Sequence, residues 1–161
     1  MVDSALDDDV DRLVERLSRA VEAAGCSVAT AESLTGGQLA AAIAAAPEAG
    51  AWYRGGIVAY HPEVKYTLLE TPRGPVVTPE TARAMASSTI QLLGADYSVG
   101  LTGVGGPEPQ EGKPPGTVHI ATCARGEEPI AEHHRFSGDP VEVMERSIVT
   151  ALAALIARIS G

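Results

Sequence analysis

Residues 26–60 read CSVATAESLTGGQLAAAIAAAPEAGAWYRGGIVAY, and the order of the pieces in this stretch decides the fold. Residues 26–31 are a short apolar, β-branched run that ends at a turn signal, the pattern of a strand covered on both faces. Residues 34–46 are alanine-rich, helical in character and stopped by Pro47. Residues 55–60 are a second buried strand. A strand, a helix and a strand in so short a span make a parallel pair joined by a helical crossover. AESLTGG is the joint between the first strand and its helix.

Working outward, residues 8–24 place Val10, Leu13, Val14, Leu17, Ala20, Val21 and Ala24 three and four apart, with Gly25 after them, which predicts an amphipathic helix. Pro62 suits the first turn of a helix that carries Lys65 about one turn in. Thr78 is a credible cap for a helix over 79–93. Strands are expected at 97–101, 117–124 and 130–136, the last two joined by a hairpin turn in ARGEEP, and a helix at 139–159 closes the chain. The expectation is one α/β domain over 1–161, a three-layer α/β/α sandwich with a mixed, mostly parallel sheet, residues 1–7 lying outside its ordered part.

With 161 residues, 45% of them hydrophobic and 20% charged, the chain suits one soluble domain. A formal charge of -9 without clustered Lys or Arg excludes a nucleic-acid partner and points to small molecules. Cys26 and Cys123 lie in separate apolar runs and read as buried thiols of a reducing compartment. The acidic start has no basic or apolar leader segment, and no apolar run is long enough to span a bilayer, so a cytoplasmic location and no membrane contact are expected.

Ligands of such sheets sit at the carboxyl ends of the parallel strands. Three polar segments fall there: 32–37, 60–65 and 102–106. The loop GVGGPEPQEGK is no phosphate loop, because five residues rather than four separate Gly106 from Gly112 and Pro114 follows Lys113. It is either a plain turn or a loop whose bare backbone approaches a ligand. Ser33 and Thr35 also admit two readings. Either could cap the helix. One cap is enough, however, and Gly36 with Gly37 in a first helical turn is costly without another use. The other reading makes Ser33 a nucleophile beside backbone N–H groups that receive an oxyanion. Its base would be Lys65, or Tyr60 acting with it, since a lysine in a desolvated cleft has a depressed pKa and can take a proton. His61, His119, His133 and His134 show no metal-ligand spacing, so no metal and no cofactor are expected.

TAESLTGG at 30–37, GGIVAYHPEVK at 55–65, LTGVGGPEPQEGKPPGTV at 101–118 and FSGD at 136–139 together resemble the CinA C-terminal domain family, the competence-damage-inducible proteins. The resemblance runs from about residue 13 to 156. It implies a metal-free α/β/α amidase, a homodimer or higher homo-oligomer, that hydrolyses nicotinamide mononucleotide to nicotinate mononucleotide and ammonia. Residue by residue it implies Ser33 as nucleophile, with Tyr60 and Lys65 for proton transfer. It places Thr35, Gly36 and Gly37 in a signature turn, and Thr102, Gly103, Gly105 and Gly106 in a second binding loop. The family carries arginines after FxGD where this chain has Pro140 and Met144. Arg146 or Arg135 could replace them at a phosphate, or the chain could be a nucleotide-binding domain with weakened chemistry. The loop after TGxxGP also departs from the family, reading EPQEGK.

Overall fold

The computed structural model describes residues 4–161. Its helices are α1 (Ser4–Ala24), α2 (Gln38–Ala44), α3 (Pro62–Leu68), α4 (Pro79–Leu93) and α5 (Pro140–Ser160). Its strands are β1 (Val28–Glu32), β2 (Tyr53–Val58), β3 (Tyr97–Gly103), β4 (Thr117–Ala124) and β5 (Ile130–Arg135). The sheet order is β2-β1-β3-β4-β5. β1 runs parallel to both β2 and β3, and β4 lies antiparallel between β3 and β5. This is the mixed, mostly parallel sheet expected, with helices on both faces.

All five residues of β1 are buried, because both faces of this strand are covered. One face carries Val28 into a core with Leu17 and Val21 of α1, Leu39 of α2 and Leu152 of α5. The opposite face puts Ala31 against Met85 of α4 and Leu69. β3 and α4 meet closely at Gly100, where a Cβ would lie 2.8 Å from the backbone N of Ala86 and 3.0 Å from Cβ of Met85. Gly100→Ala is therefore expected to cost about 1–3 kcal/mol by overpacking. The check is urea unfolding at neutral pH; an unchanged midpoint would show that α4 can shift to make room.

Several boundaries differ from expectation. α1 begins at Ser4, so residues 4–7, expected outside the ordered part, are helical, with acidic Asp7 in the first turn, where the helix dipole favours it. Residues 1–3 of that expectation lie outside the described residues. β2 starts at Tyr53 and is an edge strand with alternating exposure, not a doubly buried one. Tyr53 anchors its start, the phenol lying 2.6 Å from Oγ1 of Thr30 on β1. Cys26 and Cys123 are both free, Cys123 buried and Cys26 half-buried. Among the described residues, no helix is long and apolar enough to cross a membrane.

Candidate active site

The carboxyl ends of β1 and β3 open into a cleft of about 780 Å³. Ser33 enters it from the turn after β1, and Tyr60, His61 and Lys65 from the segment after β2. Thr102, Gly103, Gly105 and Gly106 enter from the end of β3. These residues come from three sequence segments and meet because parallel neighbouring strands end on the same side of the sheet.

Lys65 is the largest fully buried side chain of the domain, 1% exposed. Its ammonium donates to the backbone carbonyl of Tyr60 at 3.1 Å, five residues back. Burial lowers its pKa to about 8, against a smaller upward pull from the Glu111 carboxylate. About a tenth of the amine is then neutral at pH 7 and about half at pH 8. Pro62 at the start of α3, and His61, whose Nδ1 accepts from the N–H of Glu63 at 3.1 Å, set the helix that aims this side chain inward. Tyr60 meets Lys65 through its carbonyl, and the residue is 71% exposed at the cleft rim.

The turn bearing Ser33 is held by a residue that the sequence did not single out. Glu32, the last residue of β1, is fully buried. Its Oε1 accepts from the Thr35 hydroxyl at 2.5 Å and from the N–H of Leu39 at 2.9 Å, and its Oε2 from the N–H of Ala40 at 3.0 Å. Three donors on one carboxylate tie the strand end to the first turn of α2 and fix the path of the chain through Ser33. A lone acid at the end of an otherwise uncharged, doubly buried strand was the available signal.

This arrangement corrects the expectation for Thr35, Gly36 and Gly37, none of which lines the cleft. Neither hydroxyl caps α2: the cap position is Gly37, which makes no side-chain bond, and the helix starts at Gln38 rather than residue 34. Gly36 and Gly37 take φ of 59° and 98°, left-handed conformations that serve to turn the backbone. The N–H groups of Gly36 and Gln38 are engaged by the carbonyls of Ser33 and Thr35, while Glu32 takes those of Leu39 and Ala40. An oxyanion at this helix end would compete with Glu32. Gly103, Gly105 and Gly106 line the same cleft as Ser33 and are the remaining segment of the expected pair; within it the N–H of Val104 is engaged by the Thr117 carbonyl at 2.8 Å.

The loop after β3 is pinned across the cleft floor. Glu111 accepts from the N–H groups of Val76 and Val77 at 2.8 and 2.9 Å, Thr102 donates to the carbonyl of Val76 at 2.9 Å, and Lys113 donates to that of Val77. The partners are more than two dozen residues apart, so no local pattern in the sequence reveals this brace. Pro140, Val141 and Met144 of α5 form another wall. Arg146 does not reach the cleft; its guanidinium lies 3.9 Å from Glu142 on the same helix.

The family model of the CinA C-terminal domain matches residues 10–159. A CinA-like protein of Frankia casuarinae is 39% identical over 140 residues, covering 84% of this chain and 32% of that protein. Protein YdeJ of Escherichia coli is 35% identical over 155 residues, covering 92% of this chain and 90% of that protein. The crystal structure of a competence-damaged protein (CinA) superfamily protein from Klebsiella pneumoniae superposes with a TM-score of 0.89 at 34% identity, covering 94% of this chain and 98% of that one. The chain spans about a third of the length of the first curated relatives it matches.

Proposed function

The chain belongs to the CinA C-terminal domain family, and we propose that it is an amidohydrolase that releases ammonia from a pyridine carboxamide by nucleophilic attack of Ser33. The observation that carries this reading is Lys65, a fully buried amine with a lowered pKa in the same cleft as Ser33. Burying an amine is costly unless it is used or neutral, and a neutral amine in the same cleft as a serine can serve as its general base. The family resemblance names nicotinamide mononucleotide as the substrate to assay.

In this mechanism the Lys65 amine takes the Ser33 hydroxyl proton as Oγ adds to the carboxamide carbon. The tetrahedral oxyanion is received by the backbone N–H groups of Gly105 and Gly106, since the N–H of Val104 already donates to the Thr117 carbonyl at 2.8 Å. Lys65 returns the proton to nitrogen as the C–N bond breaks and ammonia leaves, giving an ester on Ser33. Lys65 then takes a proton from water as its oxygen adds to the ester carbon, and returns that proton to Ser33 Oγ as the C–Oγ bond breaks, giving the carboxylic acid, free Ser33 and neutral Lys65. The Tyr60 carbonyl holds the amine in place through these steps.

The reading is tested by ammonia release from nicotinamide mononucleotide by the purified chain, with the pH dependence of kcat/KM. Lys65 works as a base only when neutral, so the rate is expected to rise with pH and level off above about 8. A profile flat between pH 7 and 9 would remove Lys65 from the role of base, and absence of ammonia release would remove the amidase reading.

A further inference from the structure

We infer that Glu111 is a positioning residue of this site: held at the tip of the hairpin after β3, its carboxylate fixes the floor of the cleft and supplies the negative charge that steadies Lys65 as an ammonium. The inference rests on the amidase reading above, which passes a proton through Lys65, and it adds a third member to the pair of Ser33 and Lys65.

The hairpin is local. Gln110 and Lys113 exchange backbone bonds at 3.0 and 2.9 Å. Between them Glu111 and Gly112 take φ of 55° and 72°, a pair of left-handed conformations that closes a two-residue turn. Glycine or asparagine adopts that conformation more readily than glutamate, and the bonds made by the Glu111 side chain offset the difference. It accepts from the N–H groups of Val76 and Val77 at 2.8 and 2.9 Å. Thr102 donates to the carbonyl of Val76 at 2.9 Å, and Lys113 donates to that of Val77. Side chains therefore meet all four backbone polar groups of residues 76–77, and Glu111 with Lys113 supplies three of these contacts. Val76 and Val77 line the cleft together with Lys65.

The charge has a separate consequence. Lys65 is fully buried, and its amine donates to the uncharged carbonyl of Tyr60. On taking the Ser33 proton it becomes a buried ammonium, a costly state unless a negative charge is near. The Glu111 carboxylate lies within electrostatic reach and pulls the amine toward its charged form, against the larger effect of burial. Other titratable groups stand around the amine. Tyr60, His61 and Glu108 line the cleft, Glu63 of α3 pairs with Arg73 at 3.4 Å, and Glu32 of β1 is engaged by its own three donors. α5 presents Pro140, Val141 and Met144. The anion that acts on Lys65 is thus the one that builds the floor beside it.

The test titrates Lys65 directly in the intact chain. Lys65 and Lys113 are its two lysines, so carbon-13 labelling of lysine gives two side-chain NMR signals, assigned with Lys113→Met. The wild-type midpoint of Lys65 is expected at about 8. In Glu111→Gln it is expected lower by about half a pH unit or more. The rising limb of kcat/KM for ammonia release should move with it, to a plateau about tenfold lower, because the base is weaker. Glu111→Asn suits the left-handed turn and also lacks the charge, so it should show the same displacement even where Glu111→Gln folds poorly. Lys113→Met loosens the same floor but leaves Glu111 charged, and its Lys65 midpoint should stay at the wild-type value. A midpoint unmoved in both Glu111 variants overturns the inference even if the plateau falls, since Glu111 would then only brace the floor. An equal displacement in Lys113→Met overturns it as well. Absence of ammonia release from the wild type removes the amidase reading, while the midpoints still decide whether Glu111 is the charge partner of Lys65.

Discussion

Ser33→Ala and Lys65→Met are each expected to lower kcat/KM for ammonia release by at least about 10⁴-fold, and the double variant by little more than either alone, because a nucleophile and its base act as one unit. The two replacements should part company in stability. Ser33 is a nearly buried hydroxyl at the cleft wall, so its loss leaves the core untouched. Lys65 is a buried amine whose desolvation is only partly offset by one bond to the Tyr60 carbonyl. Methionine keeps the length of the stem and removes the amine. Unfolding midpoints of Lys65→Met are thus expected at or above the wild-type value, while its activity is lost. A midpoint well below wild type, with activity retained, would make Lys65 a structural residue and leave Ser33 without this base. The comparison needs only initial rates and a urea curve on the wild type, the two single variants and the double variant.

That Ser33 and Lys65 line one cleft was legible because it follows from period and order alone. Apolar strand runs without alternation, each ended by a polar break, imply parallel neighbours whose ends share one side of the sheet, and residues at those breaks must be close. The same logic placed Thr102 and Gly103. It could not place Gly36 and Gly37, since their presence beside a helix start fits a ligand loop and a plain reversal equally; their positive φ turns the chain, and neither lines the cleft. Arg146 failed for a different reason. Its distance along the chain from the FSGD signature was right for a nearby turn of helix, but the rotation of α5 carries Val141 and Met144 to the cleft and leaves Arg146 beside Glu142. Glu111 was invisible because its partners, the N–H groups of Val76 and Val77, have no side-chain signature at all.

Glu32 is the residue whose removal should disturb the fold and the chemistry together. Its carboxylate is fully buried and meets three donors from a stretch of chain three to eight residues ahead. Glu32→Ala strands the N–H groups of Leu39 and Ala40 and the Thr35 hydroxyl in the interior and leaves a void, so a loss of about 3 kcal/mol or more is expected in urea unfolding. Under conditions where the variant is still folded, kcat/KM should fall by about 10²-fold, because a nucleophile displaced by about 1 Å loses its line of attack. Thr35→Val removes one of the three contacts and keeps the volume, and should fall between wild type and Glu32→Ala on both scales. Glu32→Gln points an amide donor at backbone donors and should recover only part of the loss. The pH dependence separates positioning from proton transfer: the limb near pH 8 belongs to Lys65 and should survive in Glu32→Gln at a lower plateau. A limb that moves or vanishes would mean that Glu32 takes part in the proton path, and an unchanged rate in Glu32→Ala would mean that the Ser33 turn keeps its shape without it.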